Sequence, residues 1–205
     1  MVELFVSSFI TLFVIIDPPG CAPIFAGLTA GATATHRRAM AIRAVMVAAG
    51  ILLVFALAGE PLLHALGIEL ASFRIAGGVM LFLIALEMVF EKRTQRREDR
   101  AAKITEEEAD DVSIFPMAMP MIAGPGSIAS VMLLTARSQG IEQTAVVMAA
   151  LAANLMLMLI ALLSAGPLMR VLGAKIEAVI TRLLGVLLAA LAVQFVIDGV
   201  MEQLR

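Results

Sequence analysis

Six stretches of the chain are apolar around the whole helical circumference, and polar residues collect between them. Continuous apolar runs, rather than a single apolar stripe, mark helices that meet lipid or protein on every side. The runs cover about residues 4–30, 40–59, 70–90, 114–136, 144–165 and 177–199. At ~1.5 Å per residue, each can cross a hydrocarbon core of ~30 Å. The expected fold is all-α: a polytopic membrane protein with six transmembrane helices.

Composition agrees. Hydrophobic residues make up 61% of the 205, above the roughly half usual in soluble domains. The first run follows Met1-Val2-Glu3 without a basic leader. It is therefore expected to stay in the mature chain. Cys21 is the single cysteine, which excludes an intrachain disulfide and dithiol chemistry. Trp and Tyr are absent, so the usual interfacial aromatic belt is missing.

Charge orients the helices. The first loop carries Arg37, Arg38 and Arg43, the third carries Lys92, Arg93, Arg96, Arg97, Arg100 and Lys103, and the fifth carries Arg170, Lys175 and Arg182. The opposite side holds only Arg74, Arg137 and Arg205, so twelve of the fifteen Lys/Arg lie on one side. Lys/Arg-rich loops stay in the cytoplasm, which puts both termini on the outer side. The third loop mixes both signs and reads as a solvated linker.

The two halves resemble each other. Residues 6–67 lie on 112–173 without a gap, with 17 identities in 62 positions. Composition alone would give roughly five or six in a self-similarity search of this kind. The matches include Pro19/Pro125, Gly20/Gly126, Thr29/Thr135, Pro61/Pro167 and Gly67/Gly173. Two residues further on in the second half, Arg74-Ile-Ala-Gly77 meets Arg182-Leu-Leu-Gly185. The expected organisation is a first three-helix repeat over 1–95, a charged linker over 96–111 and a second repeat over 112–205. Three spans per half is odd, so the second half enters the membrane inverted. Inverted repeats characterise secondary transporters, whose substrate site lies at the repeat interface.

Both repeats open with a broken helix. Asp17-Pro18-Pro19-Gly20 interrupts the first span, and Gly124-Pro125-Gly126 interrupts the fourth. About thirteen apolar residues precede Asp17, or ~20 Å of helix, so the break falls inside the hydrocarbon. Proline removes a donor and glycine permits unusual angles, so together they unwind a helix and restart it. Asp17 suits an N-cap, Pro18 or Pro19 the first turn that follows, and Ser127 a donor or cap at the second break. Two half-helix N-termini then converge near the midplane and favour an anionic group. Asp17 adds a carboxylate that suits a substrate ammonium or a coupling proton. The bland alternative is two proline kinks with Asp17 as a plain cap.

Other polar residues are less telling. Asn154, in the middle of span 5, lines a pathway or bonds a neighbouring helix. Arg74 and Arg182 open spans 3 and 6 as interface anchors, or as gate or substrate contacts. Glu87, Gln194 and Asp198 sit near span ends, and His36 and His64 fall in expected loops. The fourteen methionines have no companion His or Cys pattern and read as packing, so neither metal nor cofactor is expected.

Three segments carry a family resemblance. Asp17-Pro-Pro-Gly-Cys-Ala-Pro-Ile-Phe-Ala-Gly-Leu-Thr29, Phe73-Arg-Ile-Ala-Gly-Gly78 and Pro120-Met-Ile-Ala-Gly-Pro-Gly-Ser-Ile128 resemble the signatures of the MarC family. The resemblance covers essentially the whole chain. It implies a six-span protein of the bacterial cytoplasmic (inner) membrane, with links to transport of small neutral amino acids and a distant relation to LysE-type exporters. The site it implies is Asp17, Pro18, Pro19 and Gly20 with Gly124, Pro125, Gly126 and Ser127.

The leading functional expectation is a secondary transporter exporting small neutral amino acids, not an enzyme. A serine hydrolase needs Ser and His within reach, and no P-loop is present for ATP-driven pumping. The alternative is a channel-like, structural or sensory membrane subunit. Expected partners are the bilayer, a small-molecule substrate, a coupling proton and, as an open option, a second copy of the chain. No nucleic acid is expected.

Overall fold

The structure is a computed structural model. It describes residues 1–90, 92, 95 and 111–204, with 167–175 and 177 described as backbone only. The linker expected over 96–111 thus lies outside the described residues except for Asp111. The described residues are helical, with no strand among them.

Among the described residues the helices are α1 Val2–Ile16, α2 Pro18–Leu28, α3 Ala34–Ala65, α4 Leu70–Val89, α5 Ser113–Ile122, α6 Pro125–Ala136, α7 Ile141–Leu163 and α8 Ala165–Gln203. Among the described residues, five spans qualify by length and composition to cross a membrane: α1 with α2, α3, α4, α7, and Ala178–Gln203 of α8. The pair α5 and α6, bent by 53°, makes a sixth if counted as one span.

Two elements depart from expectation. The fifth loop is helical, because α8 begins at Ala165 and runs to Gln203 without a break. Pro167 falls in its first turn, where a missing N–H costs nothing. His36 and His64 lie in the first and last turns of α3, whose start is capped by Thr33 accepting from the His36 N–H at 3.3 Å.

α5 is wound wider than an α-helix, with Met117 N–H donating to the Val112 carbonyl at 3.2 Å and Ala123 N–H to that of Ala118 at 2.9 Å. Phe115 and Met119 within it have extended backbones, with φ −121° and −132°. Each precedes a proline, Pro116 or Pro120, and a residue before proline is pushed out of the helical region.

The main interfaces join the first three spans to the last three. α1 packs on α7, and α5 and α6 pack on α3. α2 packs on α8, α6 on α4, and α4 on α8 along most of its length. One apolar core runs through α1, α2, α3, α5, α6 and α7, and a second joins Val14 and Ile15 to α4, α6 and α8.

The α4–α8 seam is close because small residues meet there. A methyl placed on Gly78 would stand 2.8 Å from the Ala192 carbonyl, one on Gly185 3.1 Å from that of Ala85, and one on Gly199 2.9 Å from that of Ala71. The numbers rise on α4 as they fall on α8, so the two run antiparallel. Membrane helices lack a hydrophobic force between them and rely on this kind of close fit.

The packing also sorts charge between two ends. Arg43 pairs with Asp111, and Arg37 donates to the Thr29 carbonyl at 3.1 Å while lying beside Gly166. At the opposite end Arg74 pairs with Glu202, and Arg137 with Asp198.

Candidate functional site

Asp17 joins α1 to α2 in the left-handed region, at φ 57° and ψ 64°, and is 1% exposed. Only Asn and Asp among ordinary side chains take this conformation readily. Its own N–H still donates to the Phe13 carbonyl at 2.9 Å, ending α1. Its carboxylate Oδ1 accepts from the Gly20 N–H at 3.1 Å, and its carbonyl accepts from the Cys21 N–H at 3.1 Å. Pro18 and Pro19 bring no N–H. The N-terminal donors of α2 are thus satisfied from within the break.

The second break differs. Gly124 is the N-cap of α6, and no side chain caps this helix. A side chain on Gly124 would collide with the Pro120 carbonyl, which explains glycine at this turn. Gly124, Gly126 and Ser127 are buried, and Pro125 is exposed. Ser127 therefore serves as no cap for its own helix, contrary to one of the two roles the sequence suggested.

The two breaks adjoin. A methyl placed on Gly126 would stand 3.5 Å from Ile15 Cγ2, two residues before Asp17. The same spot faces Ile84 and Leu81 of α4.

The remaining candidates lie elsewhere. Asn154 is fully buried and donates from Nδ2 to the Phe9 carbonyl at 3.1 Å and the Ala150 carbonyl at 3.0 Å. Phe9 is eight residues from Asp17, or ~12 Å along α1. Arg74 is 8% exposed and pairs with Glu202 at one end of the molecule. Arg182 is exposed on α8, near the opposite end, where Gly185 meets Met88. The structure therefore brings the two breaks together and leaves Asn154, Arg74 and Arg182 away from them.

Sequence reasoning passed over another group of residues. Buried hydroxyl oxygens without a hydrogen-bond partner include Ser8 Oγ, Ser113 Oγ and Ser130 Oγ. A small hydroxyl within an apolar run was the available signal for the serines.

Comparison with known proteins follows the same outline. A model of the "MarC family integral membrane protein" matches residues 2–204. The chain belongs to the MarC family. A UPF0056 membrane protein of Methanocaldococcus jannaschii is 36% identical over 201 residues, covering 97% of this chain and 96% of that one. The Bacillus subtilis UPF0056 membrane protein YvbG is 36% identical over 201 residues, covering 97% and 95%. The Escherichia coli UPF0056 membrane protein YhcE is 32% identical over 192 residues, covering 94% and 89%. No solved structure matches this MarC chain. Its family membership makes it a multi-pass integral membrane protein.

Proposed function

We propose that this MarC-family chain is a secondary transporter that exports small neutral amino acids across the bacterial cytoplasmic membrane. It works as two inverted three-helix repeats with the substrate held at the adjoining breaks. The termini and the Arg74 end face the periplasm, and the Arg43 end with the charged linker faces the cytoplasm. The single observation that carries this reading is the meeting of two helix interruptions in a buried interior beside a carboxylate, Asp17. Irregular backbone inside a membrane is tolerated where protein or a cavity satisfies it, and ionisable groups there mark transport pathways.

Helix pairing supports the inverted repeat. Exchanging the halves turns α1 on α7 into α5 on α3, α2 on α7 into α6 on α3, and α2 on α8 into α6 on α4, and all of these pairs are present. The corresponding helices α4 and α8 meet antiparallel, as an axis in the membrane plane requires. Thr29 and Thr135, 106 positions apart, each bond the carbonyl one turn back, at 2.7 and 2.9 Å.

Counterflow in liposomes tests the function. Purified protein preloaded with unlabelled alanine should accumulate labelled alanine transiently, with saturation. Absence of counterflow with glycine, alanine, serine and threonine sinks this substrate class, and non-saturating flux points to the channel reading.

A further inference from the structure

We infer that a cavity at the Arg74 end of the α4–α8 seam binds a small α-amino acid as its zwitterion, with Arg74 taking the carboxylate and Glu202 the ammonium. The inference rests on the carrier reading above and gives it a second subsite, where the exported molecule leaves.

The cavity is open space of about 390 Å³, lined by Arg74, Asp198, Met201 and Glu202. That size lies within the ~300–1,000 Å³ usual for small-molecule sites. Close backbone contact builds its polar wall. Gly199 of α8 meets Ala71 and Ile75 of α4, so the two helices touch beside Arg74 and Asp198. Arg74 is held in the seam and is only 8% exposed, although it stands near the start of α4.

The polar atoms of this wall are unequally engaged. Asp198 is saturated: Oδ2 accepts from Arg137 Nη2, and Oδ1 accepts from Gln194 Nε2 at 2.7 Å. Arg137 is itself fixed over the Phe195 ring. Arg74 and Glu202 are only half engaged. Among the described residues, Arg74 donates from Nη1 alone, to Glu202 Oε2, and its Nε is buried without a partner. Glu202 accepts at that one oxygen. A guanidinium carries five N–H donors, and both oxygens of a carboxylate accept. Buried donors without acceptors are destabilising, and a ligand oxygen relieves this.

Charge then selects the ligand. The lining brings one cation and two carboxylates. A plain anion drawn to Arg74 meets Asp198 and Glu202 as like charges. A plain cation drawn to Glu202 leaves the Arg74 donors without an acceptor. A carboxylate and an ammonium on one carbon answer both, because the two half-engaged groups stand side by side, bonded to each other. Arginine also matches a carboxylate in shape, through parallel N–H groups. Met201 supplies an apolar wall for a short uncharged side chain.

Thiol protection tests this. Met201→Cys puts a thiol in the cavity wall, at a position 53% exposed, while the native Cys21 is 0% exposed and supplies the background. The modification rate in purified full-length protein therefore reads occupancy of this cavity and not of the breaks. Alanine should slow modification saturably. Propionate, without the ammonium, and alaninamide, without the carboxylate, should protect far less. Adding Arg74→Lys should raise the half-protecting alanine concentration about tenfold or more, the worth of a charge-assisted hydrogen bond. Adding Glu202→Gln should weaken protection by alanine and strengthen protection by propionate, since a like charge is gone. Poor folding cannot produce that reversal, and Glu202→Gln carries the test should Arg74→Lys not fold. Protection by propionate or alaninamide equal to that by alanine, no protection by alanine, or unchanged protection in the folded variants overturns the inference. Protection by phosphoethanolamine without protection by alanine assigns the cavity to a lipid head group and overturns it too. Protection by alanine without counterflow upholds the cavity site and removes the carrier reading, and counterflow without protection does the reverse.

Discussion

Gly78 of α4 lies so close to the Ala192 carbonyl of α8 that a Cβ there would stand 2.8 Å from the oxygen, with the Val196 amide nitrogen 3.0 Å away. Both neighbours are backbone and cannot rotate aside. Gly78→Val therefore pushes the seam apart, with an expected loss of about 1–3 kcal/mol. Gly50, exposed on α3 with nothing within 4 Å of an added methyl, makes the opposite case. Gly50→Ala should stabilise by about 0.5–1 kcal/mol through helix propensity. Unfolding midpoints in one detergent should move in opposite directions, and a shared sign contradicts the packing described.

Asp17 separates backbone geometry from charge. Asn keeps a side-chain acceptor and accepts φ 57°, so Asp17→Asn should fold as the parent does. Alanine loses the cap and resists that conformation, so Asp17→Ala should cost about 2–3 kcal/mol. Counterflow then reads the charge by itself. Loss of transport in well-folded Asp17→Asn assigns the carboxylate a transport role, and full transport leaves it as a structural cap.

How much of this was legible in the sequence depends on the range of the interaction. The spans were legible because each is an all-round apolar run long enough to cross a membrane, a pattern carried by neighbouring residues alone. The cap at Asp17 was legible because its partner, Gly20, is three residues away. The role of Arg74 stays open in the sequence, between an interface anchor and a gate or substrate contact, because its partner Glu202 lies 128 positions off and follows from no local pattern. The unequal state of the two breaks was hidden for a different reason. The matching Pro-Gly pairs advertise likeness, while the difference rests on which amides already have partners.

The two ion pairs at the Arg74 end should differ in weight. Arg137 and Asp198 have side chains 34% and 30% exposed, and Arg137 also lies 5.1 Å from the Phe195 ring centroid. A pair this open to solvent contributes about 0.2–1 kcal/mol. The Arg74 side chain is 10% exposed, so removing Glu202 strands a guanidinium that solvent reaches poorly. Glu202→Ala should cost about 1–3 kcal/mol, and Asp198→Ala less than about 1 kcal/mol. Melting points of the two single variants decide the order, and equal or reversed losses contradict the burial difference.

Asn154 ties α7 to α1 through the Phe9 carbonyl. Asn154→Leu removes that bond and replaces a buried amide, whose Oδ1 has no partner, with an apolar group of similar size. Interhelical hydrogen bonds in membrane proteins average about 0.6 kcal/mol, with about 1.7 as an upper value. The loss of the unpartnered oxygen offsets part of this, so Asn154→Leu should change stability by less than about 1 kcal/mol in either direction. Transport is the sharper readout. At ~12 Å along α1 from Asp17, a helix-to-helix bond has no contact with a substrate held at the breaks. Asn154→Leu should therefore leave the apparent affinity for alanine within about twofold of the parent. A large rise in the substrate concentration needed for half-maximal counterflow, with the unfolding midpoint unchanged, moves the pathway up to the level of Phe9 and places Asn154 on it.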